Sequence, residues 1–380
     1  MLHSKQRYLF IDFLRFIAVV FMIQGHTFEA LLDLKIRSNT LFFVHDFFHG
    51  FVAPMFLFAS GVAFGIATFK KWEEHIAPTK HVARRIGKFT GLLAIGYALH
   101  LPYLSLQKIL YNSTDADLAI LFQVDALHCI AVTLILLQAA VFVIRNEKKF
   151  VLFAGVTGTI IVFLAPVMWG TDFKETLPLW FASYLNAENY SWFPLFPWSG
   201  YMMYGTVFAW LFINAKEHHQ AVQLMQKLVV WGVASFTISL ILVSMPFQLY
   251  PPHDVWKANP LIVFARLGFV AVVTSGVFFA EHSMKIKSAI PQIMGRESLF
   301  IYVVHLVIVY GSVVNLGLKH LFQPTLSVFE ALLVFVGVFL VTVSFTYGWH
   351  QFKKNYKRPA FAVRFVCAGI FLYFFLTRPW

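Results

Sequence analysis

FIDFLRFIAVVFMIQGHTFEALL, residues 10–32, reads as a helix that crosses a membrane, yet it carries Asp12, Arg15, His26 and Glu29. Roughly 20 apolar residues at a helical rise cover the hydrocarbon core of a bilayer, and the stretch meets that length. Ionisable groups are costly there and face a bundle interior or a water-filled cavity, so the four mark a functional surface. At about 100° per residue they share an arc of roughly 100° on one side of the helix. Arg15 and His26 are three turns apart on that face, about 16 Å along the axis.

The rest of the chain has the same character. Of its 380 residues 59% are hydrophobic, and the mean hydropathy is +0.70, far above a soluble domain. Apolar windows fall near 10–32, 43–68, 88–106, 118–144, 149–169, 195–215, 226–246, 260–281, 297–317, 327–349 and 359–378. The expected fold is an all-α polytopic integral membrane protein with about eleven transmembrane helices. Residues 1–380 read as one transmembrane domain, with no self-similar period and no low-complexity tract.

Basic residues set the orientation, because flanking positive charge is retained on the cytoplasmic side. With the N-terminus inside, Lys5, Arg7, the 70–88 cluster, Arg145 to Lys149, Lys216, Lys227, Lys285, Lys287, Arg296 and the 353–358 cluster are all cytoplasmic. Outside loops hold only Lys35, Arg37, Lys108, Lys174, Lys257, Lys319 and Arg378. The C-terminus is therefore expected on the extracytoplasmic side. The net charge of +12 sits in short loops between apolar helices, where retention and anionic lipid headgroups account for it, so nucleic acid is not an expected partner.

Cys129 and Cys367 fall in apolar windows, which excludes a disulfide framework or a CxxC metal site. The first apolar run is too long for a signal peptide and has no small-residue cleavage site after it. Asn112-Ser113-Thr114 and Asn189-Tyr190-Ser191 match the glycosylation pattern in outside loops. Gly61 and Gly65 have the spacing that lets helix backbones approach closely.

The remaining polar residues gather toward the outer half of this topology. His45, Asp46 and His49 open the second window, Asp125 and His128 lie one turn apart in the fourth, His100 closes the third, Arg266 begins the eighth, and His305 sits in the ninth. His26 with Glu29, or with Asp125, forms an acid–base pair able to work near neutral pH. His45 and His49 have helical metal-ligand spacing, but without HExxH or a cysteine partner no metal is expected. The sequence lacks a GxSxG elbow and a P-loop, which argues against a serine hydrolase and a nucleotide-driven pump. A polar stripe along the membrane normal also suits a proton-coupled secondary transporter or exporter, although no internal repeat or paired broken helices support it. A purely structural or sensory protein would leave the stripe unexplained.

RYLFIDFLRFIAVVFMIQGHTF (7–28) followed by FFHGFVAPMFLFASG (47–61) resembles the start of the transmembrane acyltransferase superfamily. That group includes heparan-alpha-glucosaminide N-acetyltransferase with its bacterial relatives, and the acyltransferase-3 family. DALHCIAVTLILL (125–137), FPLFPWSGYMMYG (193–205) and MGRESLFIYVVHL (294–306) continue the resemblance in order, closest to the bacterial relatives of the heparan enzyme.

The resemblance implies an acyltransferase, of the class transferring acyl groups other than amino-acyl groups, in a bacterial cytoplasmic (inner) membrane. Its donor would be acetyl-CoA from the cytoplasm, and its acceptor a hydroxyl or amine of an extracytoplasmic sugar or glycan. Arg15 and His26 have the spacing of the functional pair of the acyltransferase-3 branch, although Phe16 stands where both branches usually have Gly. In the heparan enzyme the catalytic histidine lies between the first helix and the proline of a P-x-F motif, a region that here offers His45 and His49 before Pro54. The catalytic histidine is thus open between His26 and His45, with Asp125, His128 and Glu29 as supporting groups. Arg15, Arg84, Arg85 and Lys88 are expected to bind the donor, and His49, Trp198, Arg266 and His305 to lie on the acceptor side. Trp169, Trp192, Trp198 and Trp256 fit a sugar platform or a lipid belt equally.

Overall fold

The computed structural model describes residues 8–379 apart from 189, 247–248 and 285–288. Lys5, Arg7, Lys285, Lys287 and Asn189, each used in the sequence reading, lie outside the described residues. The main helices are α1 (Leu9–Leu31), α2 (Thr40–His49), α3 (Val52–Phe69), α4 (Lys80–Leu99), α5 (Ala126–Ile144), α6 (Glu147–Trp169) and α7 (Leu195–Glu217). They continue with α8 (Ala221–Val243), α9 (Pro260–Met284), α10 (Ala289–Arg296), α11 (Ser298–Val309), α12 (Val328–Asn355) and α13 (Lys357–Thr377). Short helices and a two-residue strand pair, Gly311–Ser312 with Asn315–Leu316, occupy the connections.

Among the described residues eight spans are long and apolar enough to cross a membrane, with α2 and α3 together forming one of them. Counting α10 and α11 as one span bent by 78° makes nine. The remaining two apolar windows of the sequence fall on α4 and α7.

Side-chain caps decide where several helices start, and two starts differ from the hydropathy windows. Thr79 accepts from Val82 N–H, so α4 begins at Lys80 rather than near 88 and carries Arg84, Arg85 and Lys88 on its first turns. The window at 118–144 is broken: a short helix ends at Leu121 and Asp125 caps α5. Hydropathy misses both because a cap is a hydrogen-bonding event, whereas a window average registers only apolar content. Ser327 and Glu330 form a capping box at the start of α12.

The chain folds into two compact units, one of residues 1–52, 101–121 and 286–380, the other of 53–100 and 122–285. In the first, α1 packs against α10, α11 and α12, and α12 packs against α13. The end of α1 is fixed by a main-chain clasp in which Leu326 N–H donates to Leu31 O at 3.0 Å and Asp33 N–H to Leu326 O at 2.9 Å. Phe28, Leu32 and Ala331 form the core beneath it.

In the second unit α8 packs along α9, α6 along α7, and α4 against α5. The small-residue spacing seen at Gly61 and Gly65 serves packing, because a Cβ on Gly61 would lie 2.0 Å from the Met202 carbonyl oxygen of α7.

Candidate active site

In the first unit the polar stripe of α1 faces the bent pair α10–α11. Asp12 is buried with Gly295 against its backbone, His26 meets His305, and Glu29 accepts a hydrogen bond from the Tyr310 hydroxyl at 3.1 Å. The arc inferred from helical periodicity is thus a packing face on which Asp12, His26 and Glu29 each meet a residue of α10–α11 or the turn after it. Arg15 stands one turn from Asp12 and is half-buried.

His26 Nδ1 lies 2.9 Å from His305 Nε2, with the two rings nearly parallel at 8°. His305 is fully buried, and its Nδ1 is 2.7 Å from the Ile301 carbonyl oxygen one turn earlier. A carbonyl only accepts, so His305 Nδ1 carries the proton and neutral His305 presents a lone pair at Nε2. His26 Nδ1 must then donate, and the lone pair of neutral His26 falls on Nε2. A general base needs that state, and with both rings neutral the backbone carbonyl of Ile301 selects its tautomer through two imidazoles. His305, expected on the acceptor side, is thus brought directly against His26.

His45 and His49 come from α2. The Gln24 amide lies 2.8 Å from His45 Nε2, while His49 lies over Gly25 so closely that a Cβ there would be 2.0 Å from its ring. The two rings are 6.1 Å apart, and Nδ1 of each is buried without a hydrogen-bond partner. The structure therefore gathers His26, His45, His49, His305 and Glu29 on and around the C-terminal end of α1.

Asp125 and His128 belong to the second unit, and their local geometry is set by the start of α5. Asp125 Oδ1 accepts from Leu127 N–H at 2.8 Å, His128 N–H at 3.1 Å and His128 Nδ1 at 2.7 Å. Its Oδ2 is 3.2 Å from His100 Nε2. His128 Nδ1 is shared between this carboxylate oxygen and the Asp125 backbone N–H at 3.3 Å, and its Nε2 is buried without a hydrogen-bond partner. His128, however, is fully buried, with its ring 4.4 Å from that of Tyr97. Half-buried His26 is the more approachable base. Among the described residues His100, Asp125 and His128 also bring one ligand atom each within 4.8 Å of one another, a group that could hold a metal ion. Helix capping engages Oδ1 of this carboxylate and the His100 ring faces Oδ2, so both oxygens already have a role in the fold at the start of α5.

The basic residues of α4 separate. Arg84 and Lys88 are exposed. Arg85 turns inward, donating to Thr68 Oγ1 at 2.8 Å and the Phe64 carbonyl at 3.2 Å, with its guanidinium 4.2 Å from the Phe64 ring centroid. Arg85 Nη1 is also 3.0 Å from His75 Nδ1, so that ring nitrogen accepts and His75 is neutral. Burial first, then the Arg85 and His81 charges, pull His75 down to about 4. Trp198 and Arg266 share a buried site in the second unit, with the guanidinium carbon 5.7 Å from the indole ring.

Gln24, Tyr310, Tyr97 and Tyr201 stand in these sites but were not singled out from the sequence. Neutral polar side chains carry little desolvation penalty, so they do not stand out in an apolar helix as a charge does. Tyr310, five residues after His305, was the most readable of them, since its hydroxyl lies at the end of the same helix.

Apolar spans with a hydrogen-bonded histidine pair between helices define a polytopic membrane protein with a polar site among its helices. The chain belongs to the family described as heparan-alpha-glucosaminide N-acetyltransferase, catalytic, whose model matches residues 7–246. Membership gives it a membrane acetyltransferase type of function. No curated protein matches the chain. The matched range includes His26, His45, His49, Asp125 and His128, while Arg266 and His305 lie beyond it.

Proposed function

We propose that the protein transfers an acetyl group from acetyl-CoA, reached from the cytoplasm, to a hydroxyl or amine of a sugar or glycan on the extracytoplasmic side. The observation that carries this reading is the chain from the Ile301 carbonyl through His305 to His26, which leaves a lone pair on His26 Nε2. In the proposed step His26 Nε2 takes the proton of the acceptor O–H or N–H as the acceptor oxygen or nitrogen bonds to the thioester carbonyl carbon. The C–S bond then breaks, CoA leaves as thiolate and takes up a proton, and the acceptor leaves acetylated.

Glu29, through Tyr310, steadies the outer end of the stripe, and Arg15 at its inner end holds the thioester arm of the donor. Asp125 and His128 form a second, sealed dyad that supports the fold around α5. Arg84 and Lys88 neutralise CoA phosphates at the cytoplasmic mouth, while Arg85 braces the loop beside it. His49, Trp198 and Arg266 belong to the acceptor side. The chain is one membrane domain built of both units, with eleven crossings, N-terminus inside and C-terminus outside, in a bacterial inner membrane.

Purified protein supplied with labelled acetyl-CoA tests this reading. Wild type is expected to release CoA and label an amino sugar or surface glycan, His26→Ala to lose at least about 100-fold in transfer, and His45→Gln to stay within about tenfold. Full activity of His26→Ala would remove the assignment. Substrate flux across vesicles without CoA release would instead make the protein a carrier.

A further inference from the structure

The second unit holds an uncompensated buried cation. Arg266 of α9 is 9% exposed, and its Nη1 is buried without a hydrogen-bond partner. Among the described residues no carboxylate lies in ion-pair contact with it. Two further orphans adjoin it on α7. Trp198 is 5% exposed with Nε1 unpartnered, and Tyr201 is fully buried with its hydroxyl unpartnered. The guanidinium carbon is 5.7 Å from the Trp198 ring centroid, the Trp198 and Tyr201 rings are 5.9 Å apart, and the Tyr201 hydroxyl oxygen lies within hydrogen-bonding reach of Arg266, which leaves the phenol proton free to point away from it.

Buried polar groups are nearly always satisfied, and a buried cation without an anion is strongly disfavoured. The cation–π contact, near the outer limit of its range, offsets only a fraction of that. All three orphans share one property. Guanidinium N–H and indole N–H can only donate, and a phenol beside a cation turns its proton outward. What completes the site must therefore accept several hydrogen bonds and carry negative charge, and the planar fork of arginine matches two oxygens of one group.

We propose that Arg266, Trp198 and Tyr201 form a binding site for a single oxyanionic group: a carboxylate, phosphate or sulfate. Such a group can belong to an acidic sugar, to the donor or to a lipid headgroup. On the acetyltransferase reading the first two are substrates, but the test below involves no turnover and stands or falls independently of that reading.

The full-length protein is purified in a neutral detergent, and its thermal unfolding is followed against sodium phosphate, sodium glucuronate and CoA, with sodium chloride at matched ionic strength as control. Native mass spectrometry of the same preparation counts retained phospholipid. The expected result is saturable stabilisation by at least one of the three anions, or one tightly retained phospholipid. Either is absent in Arg266→Gln and weakened in Tyr201→Phe. The response to glucuronate, phosphate or CoA, as against a retained lipid, identifies the source of the group.

A second signature separates this site from a structural arginine. In anion-free, delipidated buffer Arg266→Gln is expected to melt no lower than wild type, because it removes an uncompensated charge, and Arg266→Lys is expected to keep a weaker anion response. The proposal is overturned if wild type shows neither saturable stabilisation nor retained lipid. It is equally overturned if Arg266→Gln responds as wild type does, or melts well below it in anion-free buffer.

Discussion

His26 and His305 are separated by 279 residues in sequence, yet His26 Nδ1 and His305 Nε2 are 2.9 Å apart. The Ile301 carbonyl at the far side of His305 makes this a directed chain, because it dictates which nitrogen of each ring holds the proton. His305→Phe removes the acceptor and frees the His26 ring. We expect kcat to fall roughly 10–100-fold with little change in KM, the scale seen when an orienting partner of a functional histidine is lost. His305→Gln, whose side-chain oxygen can accept from His26 Nδ1, should recover part of the loss. Steady-state kinetics on both variants, with folding checked by size exclusion, decides it: an unchanged kcat in His305→Phe would remove His305 from the site.

Gly25 is the floor on which His49 rests, and a Cβ there would come within 2.0 Å of the imidazole. Gly25→Ala gains up to about 1 kcal/mol of helix propensity but forces the ring away, at a typical overpacking cost of about 1–3 kcal/mol. The net expectation is a lowered melting temperature, recovered when His49→Ala is added. A Gly25→Ala protein at least as stable as wild type would show that the contact is relieved without cost.

Arg85 and Arg84 are neighbours with opposite expectations. Arg85→Gln loses charge-assisted bonds to Thr68 and the Phe64 carbonyl, worth about 1.5–3 kcal/mol each before compensation. Its melting temperature should drop. Arg84→Gln with Lys88→Gln removes two exposed charges and should leave stability unchanged while raising KM for acetyl-CoA. The opposite assignment of effects would place Arg85, rather than its neighbours, on the donor.

His75 gives a pH signature. Its neutral form is required by Arg85, and the folded-state value is pulled down to about 4, chiefly by burial. The unfolded chain takes up a proton below an ordinary histidine value of about 6.5. Between those limits the unfolded state binds more protons, so this contribution to stability is complete above pH 6.5 and shrinks as pH falls toward 4. Thermal unfolding from pH 7 to pH 5 should show a smaller loss in His75→Gln than in wild type. Parallel curves would mean that the imidazole is not held neutral.

Much of the architecture was legible because desolvation acts on local composition. A run of about 20 apolar residues has to be a helix where water is excluded, and the arc shared by Asp12, Arg15, His26 and Glu29 follows from helical geometry alone. Breaks inside those runs were not legible. The capped start of α5 at Asp125 and the 78° bend between α10 and α11 are decided by hydrogen bonds and packing. Arg84 and Arg85 look alike in sequence, and only the placement of Thr68, Phe64 and His75 turns one of them inward.

The sequence by itself determined the class of the protein, the approximate helices, and the face of α1 where charge has to be accommodated. Tertiary structure alone decided what that face meets: His305 against His26, Tyr310 against Glu29, Gly295 against Asp12. The physical reason is range. Burying apolar surface is priced residue by residue along the chain, whereas the proton on His26 is placed by a carbonyl from a helix nearly three hundred residues away.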